Sequence, residues 1–363
     1  MRIKSLDSIR GLAALIVLLH HGVWTYPERI AWIKDTPLRI AFAGGSAVLV
    51  FFALSGFVLH LTFTTTDDRR PLPFLIKRLV RIYPAFAVAI ALSWALCLAV
   101  DPAPVPSLSA WFNQDNWQVF PRAGVVAGHL AMTDRPDWQS LDNVMWSLVA
   151  ELRMSLLFPL IAVCVIRNWG VALVTSLAVS IASGWVVDAH PTGWVLDPFR
   201  TLRYLDLFVA GAALAQRRQA VAAWIGGLPR LRRVALWTAA LVLFALPSDA
   251  AQGLPAGVGA LLLVALSFSD RRAGAALATR LPLWLGRISY SLYLVHLPIL
   301  LATVHLLGGR LPLIAELALA AALSLAVAEM LHRAVERPSI WLGRRLASLM
   351  RPISADRPIV AAT

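Results

Sequence analysis

"SIRGLAALIVLLHHGVW" occupies Ser8–Trp24. Between Arg10 and the pair His20 and His21 stand only small and apolar residues. That pattern is a membrane-spanning helix with a cation at one end and two imidazoles at the other. The rest of the chain extends this reading. Of 363 residues, 59% are hydrophobic and 15% charged, against about 25% charged in a typical soluble domain. Apolar runs of about twenty residues recur from end to end, each long enough to cross a bilayer. The expected fold class is an all-α polytopic membrane protein. Transmembrane strands would need period-two alternation, and none is seen.

The formal net charge of +13 does not require nucleic acid as a partner. The basic residues sit at the ends of apolar runs, where topology and anionic lipid account for them. The two cysteines, Cys97 and Cys164, lie inside apolar runs. They supply neither a disulfide framework nor a metal-ligand spacing, so no metal site is expected. The first run has the basic start of a signal peptide, but no small-x-small cleavage site follows it, and it reads as a retained span.

Ten spans are expected, at about 9–27, 44–63, 83–100, 143–166, 169–187, 200–216, 234–249, 254–269, 283–307 and 311–333. With the N-terminus inside, basic residues of the inner loops and tail outnumber those of the outer loops by about three to one, which supports both termini on the cytoplasmic side. Residues 1–340 read as one transmembrane domain and 341–363 as a short basic cytoplasmic tail. The longest outer segment, 101–142, carries Trp111, Trp117 and Trp138 with Asp101, Asp115, Asp134, Asp137 and Asp142. It is either a sugar-binding surface or an aromatic belt at the headgroups.

Ionisable groups inside spans are costly and mark pathways or sites. Arg10 and His21 are eleven residues apart, which is three helical turns plus roughly 20°, so they share a face about 16 Å apart along the axis. His20 points about 100° away. The plainer alternatives are a snorkelling anchor for Arg10 and an interfacial or core histidine for His21. In "IKRLVRIYP" (76–84), Arg78 and Arg81 are i,i+3 neighbours, with Lys77 beside them, and two adjacent guanidiniums suit phosphate. Positive-inside topology is the alternative. In "WSLVAEL" (146–152), Glu151 is set to orient a histidine, hold a proton, or pair with Arg153 or an arginine of another span. In "RYLDLFVAG" (203–211), Arg203 and Asp206 read as a local i,i+3 ion pair. In "GRISYSLYLVHLP" (286–298), Ser289, Tyr293 and His296 form one stripe, read as a hydrogen-bonded interhelical seam. Glu336 sits beside Arg337 before Pro338, a proline expected to end the last span. Ser55 in "FALSGF" has no base near it in sequence, and Gly56 reads as a close-packing residue. No nucleophile elbow, P-loop or dinucleotide motif is present.

Six segments together resemble a known family. In order they are "LDSIRGLAALIVLLHHG", "FFALSGFVL", "KRLVRIYPAF", "NVMWSLVAEL", "LGRISYSLYLVHLP" and "VERPS", from about Leu6 to Ser339. They resemble the membrane acyltransferase-3 family, integral O-acyltransferases of bacterial surface polysaccharides. The resemblance implies ten transmembrane helices around a shared cavity in a bacterial cytoplasmic membrane. It implies an acyl-coenzyme A donor, usually acetyl, reached from the cytoplasm, and an acceptor hydroxyl on a glycan or lipid-linked sugar at the other face. The family's arginine-x(10)-histidine motif falls on Arg10 and His21, its arginine-x-x-arginine motif on Arg78 and Arg81, and its tryptophan-serine-leucine-x-x-glutamate motif on Trp146, Ser147, Leu148 and Glu151. Many members carry a soluble domain after the last span, where this chain has a tail of about 25 residues.

Transfer to a hydroxyl needs a base, and histidine, with an ordinary pKa near 6.5, suits that role. His21 is the expected general base, with a covalent acyl-histidine as the alternative. Glu151 is the candidate to orient or charge-balance it. Arg10, Arg78 and Arg81 are the candidates to hold the coenzyme A phosphates. The competing class is a transporter or flippase of an anionic glycolipid, which would also use basic inner residues and a polar interior.

Overall fold

The computed structural model describes residues 3–65, 70–117, 122–132, 140–190, 197–246 and 253–350. Among the described residues every regular element is helical. The α-helices are α1 (Lys4–Thr25), α2 (Gly44–Thr65), α3 (Pro71–Val100), α4 (Ala110–Gln114), α5 (Ala123–Leu130), α6 (Met145–Ala189), α7 (Asp197–Leu202), α8 (Leu205–Gln216), α9 (Arg218–Gly227), α10 (Arg230–Phe244), α11 (Gly253–Ser269), α12 (Arg271–Leu277), α13 (Arg280–Leu307), α14 (Leu313–Leu331) and α15 (Arg337–Leu349). Two 3₁₀ segments, Ala31–Asp35 and Pro37–Phe42, join α1 to α2.

Six helical stretches among the described residues are long and apolar enough to cross a membrane: α1, α2, α3, α6, α13 and the run from α14 through α15. A seventh is formed if α11 and α12, bent by 92° to one another, count as one broken span. A helix satisfies its own backbone groups, which is the condition lipid imposes on any spanning segment. The two expected spans 143–166 and 169–187 fall on α6, apart from residues 143 and 144, which precede it. At 45 residues a straight α6 would be about 67 Å long, more than twice a bilayer core. Asn168 interrupts it with extended backbone (φ −156°, ψ 94°), so α6 has two arms. The expected spans 200–216, 234–249 and 254–269 correspond to the shorter helices α8, α10 and α11, of 12, 15 and 17 residues.

The centre of the bundle is α13, which packs on α1, α3 and α14, while α1 also packs on α2. Asp7 and Gly11 of α1 lie opposite Gly286, Arg10 meets Ser289, and His21 meets His296. Residue numbers rise together on both helices, so α1 and α13 run parallel. A methyl group added to Gly11 would overlap the Gly286 backbone, and one added to Gly286 would overlap the carbonyl of Asp7. Glycine at both places is what lets the two backbones touch. Gly56 does the same for α2 against Phe208 of α8, as its sequence context suggested.

Pro338 does not end the last span. The five residues His332–Glu336 form a π-helical turn, and the chain continues directly into α15, with the proline in its first turn. A first-turn proline has no intrahelical bond to lose, and the π turn supplies the local rearrangement. Residues 341–349 of the expected tail thus belong to α15, which packs along α3.

Candidate functional site

Arg10 and His21 both face α13, and each meets a member of its polar stripe. The Arg10 Nε donates to Ser289 Oγ (2.8 Å) and its Nη2 donates to the Gly286 carbonyl (3.0 Å). Asp7 lies 3.6 Å from the same guanidinium. One turn further along, Tyr293 Oη is 2.6 Å from Ser147 Oγ of α6. Last on the stripe, His296 Nε2 is 2.9 Å from His21 Nδ1. Ser289, Tyr293 and His296 therefore form the expected interhelical seam, and each of its bonds reaches a different polar residue.

The hydrogen bonds assign the histidine tautomers. His296 Nδ1 lies 2.8 Å from the Tyr293 carbonyl and 3.1 Å from that of Leu292. A carbonyl oxygen only accepts, so Nδ1 of His296 carries the proton. In the neutral ring Nε2 is then a lone pair, and it accepts from Nδ1–H of His21. That leaves the lone pair of His21 on its own Nε2. His296 is buried, 1% exposed, so this arrangement is shielded from exchange with bulk water. Trp111 stacks on His21 with ring centroids 5.2 Å apart and planes at 12°, and Trp24 packs edge-on against Trp111 at 6.0 Å. His20 is engaged elsewhere: its Nδ1 donates to the Phe42 carbonyl at 2.7 Å.

The second cluster lies where α3 meets α6. Arg78 Nη2 donates to Glu151 Oε1 at 2.8 Å and to Ser155 Oγ at 3.2 Å, and Ser55 donates to the same Glu151 oxygen at 3.2 Å. Among the options open to Glu151, the one realised is an ion pair with an arginine of another helix. Arg153 turns away and donates to Thr201. The hydrogen-bond partner of His21 is His296, while the carboxylate of Glu151 is engaged by Arg78 and Ser55. Both motif arginines, Glu151 and Arg10 line one narrow cavity of about 80 Å³, together with Ser55, Ser147, Ser289, Tyr290 and Tyr293. Tyr293 packs on His296 with ring centroids 5.8 Å apart. The cavity lining and the histidine pair are thus in direct contact.

One local expectation is corrected. Arg203 and Asp206 do not pair. The helix breaks at Arg203 and Tyr204, between α7 and α8, so the i,i+3 spacing is not a helical one. Arg203 reaches Asp188 at 3.8 Å, and the backbone N–H of Asp206 donates to Ser180. Glu336 is buried, accepting from Ser291 (2.7 Å) and sitting 2.9 Å from His332 Nδ1. Of the outer tryptophans, Trp117 is buried and donates to Ser93, while Trp138, Asp134 and Asp137 lie outside the described residues. Asp142 is fully buried, and among the described residues its carboxylate has only a weak approach from the Val144 backbone N–H. Burial pushes its carboxyl well above the ordinary carboxylate range.

Sequence reasoning set Ser55 aside for want of a nearby base, missed Tyr290 and Glu316, and left His296 without a role beyond the seam. Glu316 is buried and accepts from Tyr26 at 2.7 Å. The signal for His296 was present, since a histidine three residues after a tyrosine in a buried stripe is an ionisable group in lipid. Its partner lies 275 residues away and no spacing reveals it.

Residues 3–333 match the acyltransferase domain of the acyltransferase-3 family. The chain belongs to that family. It is 26% identical to acyltransferase MdmB of Streptomyces mycarofaciens, over 99% of this chain and 97% of MdmB. It is 24% identical to the peptidoglycan O-acetyltransferase OatA of Listeria monocytogenes, over 93% of this chain and 55% of OatA. It is also 24% identical to nodulation protein 10 of Rhizobium leguminosarum bv. viciae, over 52% of this chain and 51% of that protein. No solved structure matches. The family and its apolar helices make the chain a multi-pass membrane protein of the acyltransferase class.

Proposed function

We propose that this family member transfers an acyl group, acetyl in the first instance, from acyl-coenzyme A to a hydroxyl of a glycan or lipid-linked sugar, with His21 as the general base. The observation that carries the reading is the chain from the Tyr293 carbonyl through His296 to His21 Nδ1, because it frees Nε2 of His21 to accept a proton. The acceptor hydroxyl gives its proton to that Nε2 as its oxygen attacks the thioester carbonyl. The new C–O bond forms, the C–S bond breaks, and the proton held on Nε2 passes to the departing sulfur. The products are an O-acyl ester and free coenzyme A. While His21 is protonated, its Nδ1–H keeps its bond to His296, so the ring does not have to reorient. Trp111 and Trp24 give the acceptor sugar an aromatic wall beside the base.

Arg10, Arg78 and Arg81 border the cavity on the donor side. Arg10 and Arg81, at its mouth, meet the charged end of the donor, while Arg78, paired with Glu151, keeps the wall rigid where the uncharged arm passes. Glu151 acts on this wall and not on the base directly. In this reading ten spans, with α6 counted as two and α8, α10 and α11 as three, carry residues 1–340 through a bacterial cytoplasmic membrane with both termini on the cytoplasmic side. The basic segment 341–363 then faces the cytoplasm.

The test uses purified protein in lipid nanodiscs with radiolabelled acetyl-coenzyme A and a cell-envelope glycan fraction. Label in the glycan and an equal amount of free coenzyme A are expected, and both are lost in His21→Ala. Movement of a glycolipid without release of coenzyme A would instead establish a transporter.

A further inference from the structure

On the side of Arg10 away from His21, the narrow cavity opens into a much wider one of about 1130 Å³, and the two share Leu6, Asp7, Arg10, Val58 and Arg81 as common wall. Beyond that shared wall the wide cavity is bordered by Arg287 of α13, Arg333 of the π turn, and Arg337 and Arg344 of α15. Six arginines therefore converge on it from α1, α3, α13, the π turn and α15.

The carboxylates of the same wall are already engaged. Asp7 faces Arg10 at 3.6 Å. Glu329 accepts from Arg333 at 2.5 Å and from Trp284 at 2.8 Å. Glu336 accepts from Ser291 at 2.7 Å and faces His332. Among the described residues, Arg81, Arg287, Arg337 and Arg344 have no carboxylate within ion-pair distance. Four guanidiniums thus face one space without a direct ion pair, Arg287 and Arg81 lying within longer electrostatic range of Glu329 and Glu336. A basic residue at the inner end of a span needs no other explanation than topology. Topology alone, however, scatters such residues around the rim of a bundle. Here they border a single cavity that leads to Arg78 and Glu151.

Arginine is the side chain suited to phosphate oxygens because its planar fork donates two parallel hydrogen bonds. The cavity is large enough for a nucleotide, and Trp341 adds an aromatic face to its wall. The narrow cavity beyond is suited to an unbranched chain and to nothing as wide as a nucleotide. We propose that the wide cavity is a nucleotide site for the acyl donor, in which Arg287, Arg337 and Arg344, together with Arg81, bind the 3′-phosphate and diphosphate of a coenzyme A thioester. This rests on the acyl-coenzyme A reading given above. It adds three arginines that belong to neither arginine motif, two of them on α15, into which the π turn lets the last span continue. The unbranched β-alanine–cysteamine end of the pantetheine arm then enters the narrow cavity, the dimethyl-bearing part stays in the wide one, and the thioester travels toward the histidine pair.

The test compares wild type with Arg287→Gln, Arg344→Gln and the double variant, both exposed positions that do not line the narrow cavity. Binding of adenosine 3′,5′-bisphosphate is measured on the full chain in phosphatidylcholine nanodiscs. Initial rates are measured with acetyl-coenzyme A and with S-acetyl-pantetheine, which lacks the nucleotide. Each substitution is expected to weaken bisphosphate binding about tenfold and to raise KM for acetyl-coenzyme A by a similar factor. The rate with S-acetyl-pantetheine should not change, and Arg344→Lys should recover part of the loss. Equal losses with both donors, or unchanged bisphosphate binding in the double variant, overturns the proposal. So does a wild type that binds no bisphosphate but retains phosphatidylglycerol through these arginines, since the site would then hold lipid phosphate. Bisphosphate binding that depends on Arg287 and Arg344, without acyl transfer from either donor, keeps the nucleotide site and overturns the acyl-transfer reading instead.

Discussion

Replacing His296 by phenylalanine removes one hydrogen-bond acceptor and keeps a ring of similar size in a site that is 1% exposed. In the native protein His21 Nδ1–H donates to His296 Nε2 at 2.9 Å. Without that acceptor the half-buried N–H faces an apolar ring, and an unsatisfied buried donor costs about 1–3 kcal/mol. The imidazole escapes the cost by moving its proton to Nε2, which blocks the lone pair needed for the hydroxyl proton. With about 1.36 kcal/mol per factor of ten, the active tautomer falls by about 5- to 150-fold, and kcat falls with it. His296→Gln separates this from a packing effect. Its amide oxygen lies close to where Nε2 stood and accepts from His21 Nδ1–H, so it should retain clearly more activity than His296→Phe. The assay is transfer of radiolabelled acetyl to the envelope glycan fraction by protein in nanodiscs, with thermal melting as a folding control. His296→Phe at wild-type rate, or His296→Gln no better than His296→Phe at equal melting temperature, would refute the tautomer argument.

Three further outcomes follow from the same contacts. His21→Ala should lose about 10²- to 10⁴-fold in acetyl transfer, the usual range for a general base, and His20→Ala should lose far less, because His20 is bonded to the Phe42 carbonyl. Arg78→Met should lower stability by about 3 kcal/mol, since it leaves the Glu151 carboxylate without its 2.8 Å partner. The double variant Arg78→Met with Glu151→Gln should recover much of that in thermal melting, and an additive loss would mean the pair is not coupled. Asp142→Asn should melt higher than wild type at pH 8 but not at pH 4. The Asp142 carboxyl is raised in the folded protein, so the wild type loses stability as pH rises above the ordinary carboxylate range, where only the unfolded chain ionises freely. Parallel melting curves across that range would show that Asp142 finds a partner for its charge.

The residue pattern alone determined the architecture in outline and much of the site. Apolar runs near twenty residues can only be helices in lipid, because no other single segment satisfies its own backbone there. The spacing of eleven set Arg10 and His21 on one face, and α13 does lie along that face. The spacings of four and three in Ser289, Tyr293 and His296 made the facing stripe. Spacing failed where the helix itself was wrongly assumed. Arg203 and Asp206 flank a break, and Pro338 falls where a π turn absorbs it. Asp142 carries no periodic signal at all.

What only the tertiary structure decided is who meets whom. Which of two adjacent histidines is oriented by a third, and on which nitrogen its lone pair stands, depends on an approach of helices 275 positions apart in sequence. That approach is permitted by Gly11 and Gly286, whose backbones touch. Glu151 had several possible partners along its own helix and beyond it. The packing of α3 on α6 chose Arg78, and α2 added Ser55. A helical period tells which side chains share a face, because that is local geometry. The partner that the face meets is set by packing between distant segments, and no local spacing encodes it.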